Sequence, residues 1–312
     1  MCPLNQTCDP KVLMKFADEF YLGISDPSWE SAHSKFVSPN TRGNSHVANY
    51  YDMDRLEHDL RLLNSFDKGS YLTLNSHSYS HDQLGHLKRF AAMFKDMGGT
   101  GLICSEPYGM SIAKELGLRA IASTNFALYN SRAVRWVVEN LGAKRVVLSR
   151  DTTFDEIRDI RESTDAELET FIEHFGCRFS NGLCMSTHIP GSGGMCRVSV
   201  EGDWEYNSSD PDVRANHAVY SDKLLIHACG YCAIYDFCRI GIDSVKIVGR
   251  ELEGLEILRS ARNVSSLIDL AVGCKSKREY LERMDSCIDM GFQCNRYNCY
   301  YPELGRWSNR NH

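Results

Sequence analysis

Short apolar runs and amphipathic stretches alternate along most of this chain, with glycine closing the turns between them. Strand-like runs read at Phe20–Ile24, Tyr71–Asn75, Thr100–Cys104, Arg119–Ser123, Arg145–Leu148, Leu168–Ile172 and Ser244–Val248. Between them lie helical stripes, among them Leu56, Leu60 and Leu63, then Leu84, Leu87, Phe90, Ala91 and Phe94. Gly98-Gly99, Gly117 and Gly142 follow three of these stripes at the place where a helix stops. Alternation of this kind predicts parallel strands joined by helical crossovers. About seven or eight such units in roughly 250 residues predict an α/β fold, a (β/α)8 TIM-type barrel, rather than a doubly wound sheet. No GxGxxG or GxxxxGK follows any strand, so a dinucleotide or P-loop site lacks its phosphate cradle.

One barrel domain is expected over residues 1–312, with a cysteine-bearing insertion at about 174–222 and a tail at about 290–312. The first strand has to come from Met1–Leu4, which is short. Asp26–Ala48 is polar and long enough to read as a functional loop. A net charge of −6 argues against an extended basic nucleic-acid groove. No apolar run approaches the ~18 residues of a membrane span. The N-terminal residues lack the basic and apolar regions of an export signal, so a cytoplasmic protein is expected.

Thirteen cysteines are then many for a chain whose thiols should stay reduced, which points to metal or redox use. Cys177, Cys184 and Cys196 sit in a loop of Gly, Ser, Asn and His after the Leu168–Ile172 strand, and Cys229 follows a polar insertion. Their spacing is too wide for a zinc knuckle but suits convergence at one end of a barrel. Thiolate is a soft ligand, and four of them satisfy a [4Fe-4S] cluster. Zinc, a disulfide pair or unconnected buried thiols are the alternatives.

In such a barrel chemistry belongs at the C-terminal ends of the strands. Those ends carry Asn75, His77, Glu106, Asn125, Arg150, His174 and Arg250. Asn75 and Asn125 suit substrate hydrogen bonding, Arg150 and Arg250 bidentate grip of a carboxylate or phosphate, and His77, His174 and Glu106 proton transfer. The structural alternative pairs Arg150 and Arg250 with the adjacent Asp151 and Glu251. No GxSxG or HExxH motif supports peptidase chemistry.

The string ELETFIEHFGCRFSNGLCMS, the GMC at Cys196 and the later GIDSVKIVGRELE together resemble the signatures of the collagenase-like peptidases, family U32. The resemblance covers roughly residues 1 to 260. It implies relatives that hydroxylate without oxygen, in anaerobic ubiquinone synthesis or on RNA bases. It also implies that Cys177, Cys184, Cys196 and Cys229 fall on [4Fe-4S] ligand positions. On that resemblance the chain is expected to be a redox enzyme acting on a small aromatic or prenylated substrate. It would use an organic oxygen donor and a paralogous protein as partner in a heterodimer. An RNA-base hydroxylase, a peptidase and a non-catalytic cluster-bearing subunit are the competing expectations. The resemblance does not account for Cys232, Cys238, Cys274, Cys287, Cys294 and Cys299.

Overall fold

The computed structural model describes residues 1–33, 38–43, 45–177, 180–182, 228–288 and 298–306. Eight parallel strands follow chain order around one sheet. They are β1 (Cys2–Pro3), β2 (Glu19–Leu22), β3 (Gly69–Leu74), β4 (Gly101–Cys104), β5 (Arg119–Ala122), β6 (Arg145–Val147), β7 (Glu167–Glu173) and β8 (Ser244–Ile247). Backbone bonds carry the circle from β8 back to β1: Ile247 N–H donates to Met1 O at 3.0 Å. The expected TIM-type barrel is what forms.

The helices are α1 (Pro10–Leu13), α2 (Pro27–His33), α3 (Met53–Ser65), α4 (His81–Asp96), α5 (Pro107–Leu116), α6 (Ser131–Leu141), α7 (Phe154–Ser163), α8 (Ile234–Ile240), α9 (Gly254–Gly273) and α10 (Lys277–Met284). Their ends carry the local signals that start and stop helices. Asp52 and Asn130 cap α3 and α6 by accepting from first-turn amides. Gly142, at φ +73°, ends α6 in the left-handed conformation that other residues resist. The Asp26–Ala48 stretch is not all loop: Pro27 opens α2, as proline at a first helical position can.

Alternation along each strand makes two cores. Residues such as Phe20, Leu22, Leu72, Leu74, Leu102 and Leu168 face the helices in the larger one. Tyr21, Tyr71, Ile103, Ile121, Val147, Phe171 and Val248 form a second cluster that fills the barrel. Below that layer the barrel is charged. Arg145 reaches Glu19 at 2.5 Å and Glu169 at 3.2 Å, and Lys246 Nζ meets Glu169 Oε1 at 2.7 Å. Glu169 has no solvent exposure. Burial alone would push its carboxyl up, but the charges of Lys246 and Arg145 prevail and hold it down at about 2. This charged cluster occupies the N-terminal end, where Glu19, Arg145 and Glu167 line a second cavity.

Candidate functional site at the C-terminal mouth of the barrel

Above the apolar layer lies a cavity of about 140 Å³, walled by Tyr21, Ile103, Val147, Phe171 and Val248 and ringed by polar strand-end residues. Among the described residues its lining holds four cations (Arg42, Arg150, Lys246 and Arg250) and no carboxylate. Arg42 is paired with Glu251 at 3.3 Å and Lys246 with Glu169. The other two have neutral partners. Arg250 is only 3% exposed. Its Nη1 donates to Thr73 Oγ1 (2.9 Å) and Asn49 Oδ1 (3.2 Å), and its Nη2 to Asn40 Oδ1 (3.1 Å). Burial lowers its pKa to about 10, which still leaves it charged at neutral pH. Gly23 makes room for that guanidinium, since a Cβ there would lie 2.0 Å from Nη1.

Arg150 stacks its guanidinium 3.7 Å from the Phe171 ring centroid and donates from Nη1 to Asn181 Oδ1 at 3.2 Å. The expected structural partners are therefore wrong for both arginines. Asp151 accepts from Ser149 Oγ, and Glu251 belongs to Arg42.

Asn75, His77 and Asn125 also line the cavity, so the strand-end reading brings five of its seven residues together. Asn125 Nδ2 donates to the Asn75 carbonyl at 2.9 Å, which ties the two loops. His77 Nε2, Arg150 Nε and Thr124 Oγ1 are buried without a hydrogen-bond partner among the described residues. Three orphaned polar atoms around one cavity are unusual, because each buried unpaired group is costly unless a ligand or water meets it. Burial lowers the His77 pKa, so its imidazole is neutral and able to accept or relay a proton.

Glu106 and His174 do not join them. Glu106 caps α5, with its carboxylate accepting from the Tyr108 and Gly109 amides at 2.9 and 2.7 Å. His174 follows a register shift between Phe171 and Glu173. Its φ of +64° turns it outward, where Nε2 meets Ser260 Oγ of α9 at 2.7 Å. The same turn carries Phe175, Gly176 and Cys177 over the mouth, where all three line the cavity.

Of the expected cluster ligands, Cys184 and Cys196 lie outside the described residues, as do Cys294 and most of the cysteine insertion. Cys177 lines the cavity, and Cys229 is buried just before α8. The tail returns beside Cys229: its N–H donates to Asn298 O, and Tyr300 N–H to its carbonyl, both at 2.8 Å. Tyr300 also donates from its hydroxyl to the His174 carbonyl, and both Cys177 and Cys229 act electrostatically on that phenol. The Cys229 sulfur accepts from the Tyr231 amide at 3.5 Å and packs in the helix-facing core, whereas Cys177 lines the cavity. No group of three metal-ligating side chains forms among the described residues.

Sequence reasoning missed Arg42, Phe175, Asn181 and Tyr300. The signal available for Asn181 was its place between Cys177 and Cys184, where a small amide suits the tight turn at Gly182 (φ +83°). Nothing local marked the others.

The family model for peptidase family U32 matches residues 10–303. The chain belongs to that family. It is 24% identical over 276 residues to the tRNA hydroxylation protein P1 of Bacillus subtilis, covering 83% of this chain and 64% of that one. It is 26% identical over 281 residues to an uncharacterized protease of Methanocaldococcus jannaschii, covering 86% and 64%. A collagenase of Porphyromonas gingivalis is 24% identical over 268 residues, covering 78% and 63%. The chain thus spans under two thirds of the length of these relatives. Among solved structures, a U32 peptidase aligns with a TM-score of 0.41 at 17% identity, covering 55% of this chain and 68% of that one. The barrel itself rests on the strand order described above.

Proposed function

We propose that this U32 barrel is an oxygen-independent hydroxylase-type redox enzyme, with an anionic aromatic small molecule held in the cationic mouth and a [4Fe-4S] cluster beside it. The observation that carries the reading is the juxtaposition of Cys177 with Arg150, Arg250 and the unpartnered Nε2 of His77 around one cavity. Cys177, Cys184, Cys196 and Cys229 would hold the cluster. Both described members are soft thiols, the donor type such a cluster takes; Cys177 lines the cavity and Cys229 is buried in the helix-facing core. When bound, such a cluster supplies electrons one at a time.

The chain's own residues do the rest. Arg250 and Arg150 grip a carboxylate, on the substrate or on an organic oxygen donor, by charge-assisted hydrogen bonds. Phe171 and Tyr21 line the wall, with Arg150 stacked over the first ring and Lys246 over the second. Neutral His77 takes or returns a proton at Nε2. A paralogous partner chain would complete the open mouth.

Purification without air, followed by iron and sulfide analysis and electron paramagnetic resonance, tests this reading. About four irons per chain, reduced in Cys184→Ala, support it. Colourless, iron-free protein overturns it.

A second reading has one specific observation behind it, the tRNA hydroxylation relative. Acting on an RNA base would require phosphate contacts, and binding of tRNA that weakens steeply with salt would favour it. Casein or gelatin cleavage that survives removal of iron would favour the peptidase reading carried by the other two relatives' names.

A further inference from the structure

A second group of chemistry-bearing side chains lies in the helical layer, where α2 packs on α4, and shares no residue with the cavity. Ser28 is exposed on the first turn of α2, and its Oγ is 3.0 Å from Nε2 of His86 on α4. Nδ1 of His86 is in turn 3.2 Å from Nε2 of His33 at the end of α2. His86 is 5% exposed and wedged between rings, its centroid 4.8 Å from Phe90 and 5.3 Å from Trp29. Trp29 also meets His33 edge-on at 4.6 Å, so both imidazoles are held in place.

Two tautomer arrangements satisfy both contacts, and one of them sets His86 as a base toward Ser28. If His86 carries its proton on Nδ1, that N–H donates to His33 Nε2 and leaves Nε2 free to accept the Ser28 hydroxyl. Hydroxyl, base and a third group orienting the base form the arrangement that activates a serine. We propose that Ser28 is a nucleophile, with His86 as its general base and His33 as the positioning residue, and that this site hydrolyses small activated esters.

The surroundings agree with a base. Burial lowers the His86 pKa, Arg89 and His33 act in the same direction, and Asp26 opposes them. The imidazole is therefore neutral and able to accept a proton at pH 7. The substrate range is narrowed by the oxyanion. The amides of Ser28, Trp29 and Glu30 already donate to Asp26, at 2.6, 3.0 and 3.5 Å. Without first-turn amides to spare, the site suits esters with good leaving groups rather than peptide bonds.

In the first step Ser28 Oγ bonds to the acyl carbon and its proton passes to His86 Nε2. The bond to the leaving oxygen breaks, and that oxygen takes the proton from His86. A water molecule then attacks the acyl-serine with His86 as base, releasing the carboxylic acid and restoring Ser28. The net reaction is ester plus water to acid plus alcohol.

The test uses the full chain, a fluorophosphonate probe read by intact mass and peptide mapping, and p-nitrophenyl acetate hydrolysis. A single adduct on Ser28 is expected. Ser28→Ala, at an exposed position, should lose the adduct and slow hydrolysis about a hundredfold. His33→Asn should slow it less and displace the midpoint of its pH profile, which a purely structural role for His33 would not do. No adduct at Ser28, or unchanged hydrolysis in Ser28→Ala, overturns the proposal.

Discussion

Arg250 donates from Nη1 to Thr73 Oγ1 at 2.9 Å, so a buried guanidinium at the end of β8 reaches across the barrel to β3, and among the described residues it meets no carboxylate. A charge held by neutral oxygens alone is under-compensated, and an anionic ligand is the natural complement. Replacing it with methionine should weaken binding of a small aromatic carboxylate about 10- to 100-fold, in line with a lost charge-assisted bond of roughly 1.5–3 kcal/mol. Isothermal titration on Arg250→Met checks this, and unchanged affinity would remove Arg250 from the site.

Gly23 should tolerate no side chain. An added Cβ would stand 2.0 Å from both Arg250 Nη1 and Asn49 Oδ1, in a seat fixed by three hydrogen bonds. Gly23→Ala should therefore reproduce the binding loss of Arg250→Met and cost about 1–3 kcal/mol of stability from overpacking. Denaturant melts and ligand titration on the same sample separate the two effects.

The barrel floor should dominate acid lability. Glu169 ionises at about 2 in the fold against an ordinary 4.5, so its contribution is whole above pH 4.5 and is lost as pH falls toward 2. Glu169→Gln would leave Lys246 and Arg145 short of a buried counter-charge and should cost about 3–5 kcal/mol at pH 7. A melting temperature within a degree of the parent would show that the floor is not a stabilising device.

Glu173 predicts the opposite slope. Burial pushes its carboxyl up to about 7, from 4.5, so the folded chain keeps a proton that the unfolded chain releases. The stability this confers is complete below pH 4.5 and is lost as pH rises through 7, by about 3 kcal/mol. Glu173→Gln should flatten that part of the stability curve and be the more stable form at pH 8. A parallel slope in both proteins would assign the titration to another group.

The order of strands and helices, their caps and the barrel itself are legible in the sequence because each depends on residues within a turn or two. Periodicity near two or 3.6 states which face is apolar, and Gly117 and Gly142 mark where a helix must stop. The strand ends follow from the same periodicity, which is why Asn75, His77, Asn125, Arg150 and Arg250 were found together.

What only the tertiary structure decided is where side chains near those ends point and whom they meet. His174 and Cys177 are three residues apart, yet a register shift and a left-handed backbone send the first outward to α9 and the second over the cavity. Ser28 and His86 are 58 positions apart and meet only because α2 packs on α4. Local sequence encodes the shape of each element through short-range sterics and hydrogen bonds. The chemistry arises from contacts between elements, and those exist only once the circle of strands has closed.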